Sequence, residues 1–247
     1  MIQRMVSAAL LLRDGFTLNI LPDTSGTSCT LDGMRYRPVM KSDGYMVLTD
    51  LSPGRHTLSI RRKGYQEERI VLNTILGYTI EELVDLKPGA AYPFPGETAR
   101  VTMNLTSGKT VQNNARIFMG MPLRTKLKLA QAKNAKKTDT IRVFCQGARQ
   151  WLPVPGYYLT ADEDGGEILF VRNLEDETAF LEKAISLSHG RGTELVPVQP
   201  YLTNEDGCVH AIFRNAGDLY TFCDGKWKKH PLKSGEQSLT WNLADNK

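Results

Sequence analysis

SDGYMVLTDLSPGRHTLSIRRKGY, residues 42–65, is the stretch that decides the fold. Along His56-Thr57-Leu58-Ser59-Ile60 the apolar Leu58 and Ile60 point one way and Thr57 and Ser59 the other, the period of two of a half-buried strand. Asp43-Gly44, Pro53-Gly54 and Lys63-Gly64 punctuate it. Glycine takes a positive φ at no steric cost and Pro53 presets φ, so each pair can reverse the chain. Working outward, Asp14-Gly15 and Asp32-Gly33 continue the punctuation, and no long helical period appears before residue 78. Short alternating strands between regular turns predict an antiparallel sandwich. The apolar run Val6 to Leu12 passes straight into Arg13-Asp14-Gly15 without a small-residue cleavage pattern, so it reads as a first buried strand rather than a leader.

The run SDGYMVLTDL (42–51), then SPGRHTLSI (52–60) and Gly64-Tyr65, resembles the carboxypeptidase regulatory-like family, a transthyretin-type β-sandwich, over about residues 14–73. His56 stands where that family usually has tyrosine. The resemblance implies an accessory module without catalytic residues, which holds neighbours in place or presents loops. GKTVQNNARIFM (108–119) resembles the opening of a further module of this kind. Ser7 to Thr17 is also similar to small β-domain proteins encoded with contractile phage-tail-like particles. A fold resemblance alone assigns no function.

The 247 residues are 41% apolar and 23% charged, an ordinary globular mixture, and no apolar run reaches the ~18 residues of a membrane span. Three prolines in Lys87 to Gly96 predict a stiff, extended connection. The expected organisation is a regulatory-like sandwich at 1–90, a Pro-rich linker at 91–97 and a second β-rich domain at 98–247. The fold class is mainly β: two antiparallel β-sandwich modules with at most one or two short helices. Tyr158-Leu159-Thr160 before EDGGEILFVRN (163–173) is echoed 43 residues later by Tyr201-Leu202-Thr203 before NEDGCVHAIFRN (204–215). Each copy reads as a turn followed by a core strand. Glu175 to Ser188 departs from the pattern: Phe180, Leu181, Ala184, Ile185 and Ser188 fit one helix face, with Glu175, Asp176 and Glu177 at its N-terminus. A strand through 184–187 is the rival reading.

Charge is unevenly divided. Residues 95–150 hold eleven Lys+Arg against two Asp+Glu, while residues 151–247 are net −6. Arg124, Lys126, Lys128, Lys133, Lys136, Lys137 and Arg142 form a basic stretch that suits docking on an acidic partner surface. It carries no aromatic residue for base stacking and no nucleic-acid-binding motif, so nucleic acid is not the expected partner.

Cys29, Cys145, Cys208 and Cys223 contain no C-x-x-C pair and read as thiols of a reducing compartment, with synthesis in a cytoplasm. A hairpin turning at 215–218 would place Cys208, His210 and Cys223 on one face, with His230 as a further ligand, yet this is not a familiar zinc spacing and no metal is expected. His56 reads as a core or interface histidine. Asp162, Glu163, Asp164, Glu167, Glu205 and Asp206 flank Asp-Gly turns and read as surface acids. No hydrolase, protease or phosphate-loop signature is present, and no cofactor is expected. Trp227, between lysines, is the tryptophan expected to be exposed. The functional expectation is a non-catalytic structural or adaptor protein that binds protein partners in a larger assembly, phage-tail-like in one version. A carbohydrate-binding module using Trp227 or Trp241 is the alternative.

Overall fold

The computed structural model describes residues 5–22, 26–132, 139–147, 152–162 and 165–244. These residues form strands and connections with no helix, in two compact units, Met1–Pro95 and Gly96–Lys247.

The first unit packs two four-stranded sheets. One runs β4 (Val39–Met40), β5 (Tyr45–Thr49), β1 (Val6–Asp14), β8 (Ile80–Leu86). The other runs β3 (Met34–Tyr36), β2 (Thr27–Leu31), β6 (Gly54–Arg62), β7 (Glu68–Thr74). Alternation in each strand fills one core with Ala8, Leu10, Leu12, Met46, Leu48, Leu58, Ile60, Leu72 and Leu86. Asp32 and Gly33, at φ 50° and 80°, make the two-residue turn between β2 and β3, the geometry for which Asp-Gly is suited. The pairing is antiparallel except that β1 and β8 run parallel. There Arg13 stands opposite Asp85 in register, and their buried side chains form a bidentate ion pair at 2.5 and 2.9 Å.

The two ends of this sandwich differ. At the end where β1 and β8 finish, the buried Asp14 accepts from the Phe16 and Thr17 amides at 2.7 and 2.8 Å and from the Tyr65 and Tyr92 hydroxyls at 2.8 and 2.6 Å. Phe16, Tyr65, Tyr92 and Phe94 pack edge-on or tilted around it, with centroids 4.9–5.5 Å apart. The proline-rich segment is therefore folded onto the first unit rather than extended: Gly89 donates to Gly64 at 2.8 Å, and Tyr92 donates to Gly89 at 3.2 Å. Its two aromatic residues, Tyr92 and Phe94, anchor it there by packing on Phe16, and Tyr92 also bonds to Asp14.

The second unit holds two cores. A sandwich pairs β9 (Ala99–Ser107) with β10 (Thr110–Val111), β18 (Cys208–Phe213) and, in parallel, β21 (Gly235–Asn242). Its other sheet is built from β11 (Arg116–Gly120), β19 (Gly217–Cys223) and β20 (Lys226–Leu232), with β17 (Glu194–Leu202) alongside β11. Val101, Met103, Ile117, Met119, Tyr201, Leu219 and Trp241 lie between them. Beside it, β12 (Lys126–Leu129), β13 (Thr140–Gln146), β16 (Thr178–Leu181), β15 (Ile168–Glu175), β14 (Gly156–Ala161) and β17 pair in that order. β17 pairs back to β12, closing a six-stranded antiparallel barrel. Leu127, Leu129, Ile141, Val143, Tyr158, Leu169, Val171, Leu181 and Leu195 fill it, as inward side chains fill small barrels generally.

The helix expected over Glu175 to Ser188 is absent. Asp176, at φ 47°, and Glu177 turn a hairpin between β15 and β16, with Glu175 opposite Thr178, and the rival strand at 184–187 is absent too. The acids suited to a helix start are those of the turn, and Ile185 is buried from an irregular segment. The hairpin expected at 215–218 is also absent. β18 pairs with β9, and β19 with β11 and β20, so the chain crosses from one sheet to the other. Val209 and Ala211 on β18 and Leu219 and Cys223 on β19 bury against one core from opposite sides, which side-by-side pairing would prevent.

β17 passes from barrel to sandwich where β11 ends. A Cβ on Gly120 would lie 2.0 Å from the Pro197 carbonyl oxygen and 2.8 Å from Val198 Cα. Gly120→Ala is expected to destabilise the protein by about 1–3 kcal/mol in chemical denaturation. Gly190→Ala, at a position where a Cβ meets nothing within 4 Å, should change stability by less than about 0.5 kcal/mol.

Candidate functional site

Lys126 and Lys128 alternate outward on β12, Arg142 does so on β13, and Arg124 is exposed just before β12. Lys126 lies 3.4 Å from Glu194 and Arg142 3.3 Å from Glu177. The acidic residues of the C-terminal segment thus offset part of the basic stretch within the barrel wall. Lys133, Lys136 and Lys137 lie outside the described residues.

Trp227 is half-buried rather than exposed. Its ring stacks on Tyr220 at 5.8 Å and its indole N–H donates to the Asp162 carbonyl at 3.0 Å, tying β20 to the loop after β14. Trp241 is fully buried beside His230, so it presents no face to a sugar. Cys223 is a core residue. The Cys208 thiol is 2.9 Å from Asn104 Oδ1, and His210 Nδ1 is 3.0 Å from Thr102 Oγ1. These three do not converge. His230 is buried against Thr221, and burial, with Lys228 nearby, holds its pKa down at about 4. All four cysteines are unbridged.

Glu163 and Asp164 lie outside the described residues, but Glu167 corrects the reading of these acids as surface groups. It is buried and accepts four hydrogen bonds: from the Ser186 amide and hydroxyl at 2.9 and 2.5 Å, the Leu187 amide at 3.0 Å and His189 Nε2 at 2.9 Å. His189 is itself buried, with Nδ1 3.6 Å from Asp162 Oδ2. The sequence did carry a signal, since Glu167 shares parity with Leu169 and Val171, the inward face of β15. The preceding Gly165-Gly166 lets the chain pass close to β14: a Cβ on Gly166 would stand 2.8 Å from the Thr160 carbonyl.

A carboxylate with four donors has used its lone-pair positions, so Glu167 holds the 182–193 segment to the barrel rather than taking up a proton from a ligand. Burial alone would raise its pKa. The bonds from His189, Ser186 and Leu187 outweigh that and bring it to about 2. Its contribution to stability is therefore complete above the ordinary carboxylate pKa of 4.5 and is lost as pH falls toward 2. Glu167→Gln is expected to cost about 1–3 kcal/mol at pH 7 and to flatten the acid-side decline in denaturation midpoints. An unchanged acid profile would remove Glu167 from this role.

The exposed feature lies on the first unit, at the end away from Asp14. There β1 and β8 begin, β7 ends, and the β2–β3 and β5–β6 connections turn. Ile75, Leu76 and Tyr78, between β7 and β8, are 64%, 72% and 72% exposed, and Met5 and Val6 are exposed at the start of β1; Met34, 77% exposed, stands on β3 at the other edge of the sheet. The turn carrying Ile75, Leu76 and Tyr78 is ordered: Tyr78 donates to Ile75 at 3.1 Å, Gly77 takes φ 82°, and the Thr79 hydroxyl donates to Val6 at 3.0 Å. Its neighbours are fixed as well. Asp32 accepts from the Thr57 amide at 2.7 Å and lies 2.7 Å from His56 Nδ1, while His56 Nε2 lies 2.8 Å from the Ser52 carbonyl. The bond to Asp32, then that to Ser52, raises the His56 pKa. His56 is thus a positioning group of the loops, while Leu58 and Ile60 on the same face fill the core.

No family model and no curated protein matches the chain. Among solved structures it is similar to the Bacillus anthracis TIE protein, at 13% identity and TM-score 0.24 over 97% of this chain and 50% of that one. It is also similar to the major pilin subunit of Bacillus cereus, at 11% and 0.25 over 97% and 99%, and to the shaft pilin of Lactobacillus rhamnosus GG, at 11% and 0.23 over 96% of each. The chain spans half the length of the TIE protein. At these TM-scores the likenesses carry no argument about what the chain does.

Proposed function

We propose that this chain is a non-catalytic structural or adaptor protein that binds another protein through the apolar end of its first unit, within a larger assembly. The observation that carries the reading is the group of exposed apolar side chains there, presented on turns that backbone hydrogen bonds hold in place. Large apolar and aromatic groups gathered on one exposed surface mark interaction sites, and a pre-ordered turn loses little entropy on docking. The two facing four-stranded sheets support a regulatory-like module in the first unit, which would present these loops. Arg124 and Lys128 on the barrel supply a second, basic contact in this reading. The similarity of Ser7 to Thr17 to particle proteins falls on β1, whose Ala8, Leu10 and Leu12 are core, so it reports packing rather than a partner.

The test is a Leu76→Asp, Tyr78→Ser double variant. Exposed positions tolerate such changes, so thermal midpoint and circular dichroism should stay unchanged. Recovery of the partner proteins that co-purify from the native host should fall about tenfold or more. Undiminished recovery would contradict the assignment.

A further inference from the structure

β21 is an open edge. It pairs with β9 on one side and, among the described residues, with no strand on the other. Gly235 donates to Thr98 and Leu243 to Thr106, so the odd-numbered residues of β21 bond to β9. The peptide groups of Glu236, Ser238 and Thr240 therefore point away from it. The register from Gly235 to Asn242 runs without a shift, and the strand contains neither proline nor lysine. Bulges, prolines and lysines are the usual means of blocking an edge.

The other edges of this sandwich carry obstacles that β21 lacks. β20 carries Lys228, Lys229 and Pro231. On β18, the outward groups of Cys208 are already used: its amide donates to Asn204 Oδ1 at 2.8 Å and its carbonyl accepts from the Asn204 amide at 2.9 Å.

We propose that β21 pairs antiparallel with β21 of a second copy of this chain, about a two-fold axis through Ser238. The strand is self-complementary in that register. Ser238 meets Ser238 and Glu236 meets Thr240, so every outward peptide group of the three residues finds its counterpart in about six backbone hydrogen bonds. Glu236 is the one charged residue of the strand, and it faces a threonine rather than its own copy. Contacts of this isologous kind close on themselves, so the product is a dimer whose sheet runs on from one copy to the next. Self-pairing of β18 about His210 would instead set imidazole against imidazole.

Sedimentation velocity of the full chain over a wide concentration range tests this. A concentration-dependent dimer is expected, and Ser238→Lys, which sets two cations face to face on the axis, should weaken it roughly fivefold or more. Ser238→Cys should yield, on mild oxidation, a dimer whose crosslink maps to position 238 in both chains, a readout that does not depend on the lysine variant folding. A monomer at all concentrations, or a dimer that Ser238→Lys leaves unchanged and that does not crosslink at 238, would overturn the proposal.

Discussion

One strand has to serve two cores. The first half of β17, through Leu195 and Val198, pairs with β12 and β14 in the barrel, and its second half, through Gln199 and Tyr201, pairs with β11 in the sandwich. Leu195 is buried in one core and Tyr201 in the other. Both cores therefore take their registers from the same backbone, and a slip of one residue would turn both sets of side chains outward. Gly120 is the steric condition for this, because no side chain fits where β11 meets the crossing. Hydrogen bonds add to this: Glu167 holds the 182–193 segment to the barrel, and Trp227 ties β20 of the sandwich to Asp162 after β14 of the barrel.

The period of two and the Asp-Gly and Pro-Gly turns made the first unit legible, because each of its strands buries one face and reverses within a few residues. The echo of Tyr-Leu-Thr was legible only locally. Tyr158 and Tyr201 are both core residues, and Thr160 and Thr203 both bond to nearby backbone, yet β14 pairs with the strand that follows it and β17 does not. Pairing partners depend on which core a strand completes, and no local pattern encodes that. The same limit explains Cys208, His210 and Cys223, which a hairpin would have set on one face but which lie on strands of different sheets. At Glu175 to Ser188 apolar spacing matched a helix, but Asp176 accepts a left-handed conformation and the acids made a turn. Charge misled at Glu167, where four donors supplied by a distant segment outweigh the cost of burial.

The surfaces proposed to meet partners are separate from the groups that hold the fold. Arg13, Asp85, Asp14 and Glu167 are buried and paired, and each is occupied in joining segments. The side chains left outward are apolar at one end of the first unit, and on β21 it is backbone that faces outward. Neither surface needs a titrating group or a pocket. Such a division suits a molecule that works by presenting a rigid outline, since changes at the surfaces leave the cores intact.

The most direct measurement of that claim is hydrogen exchange of the whole chain, alone and inside the assembly isolated from its host. Amides of residues 74–79 should exchange more slowly in the assembly than in the isolated protein, while the cores around Leu58 and Trp241 stay equally protected in both states. Equal exchange at 74–79 in the two states, with protection appearing elsewhere, would contradict the account.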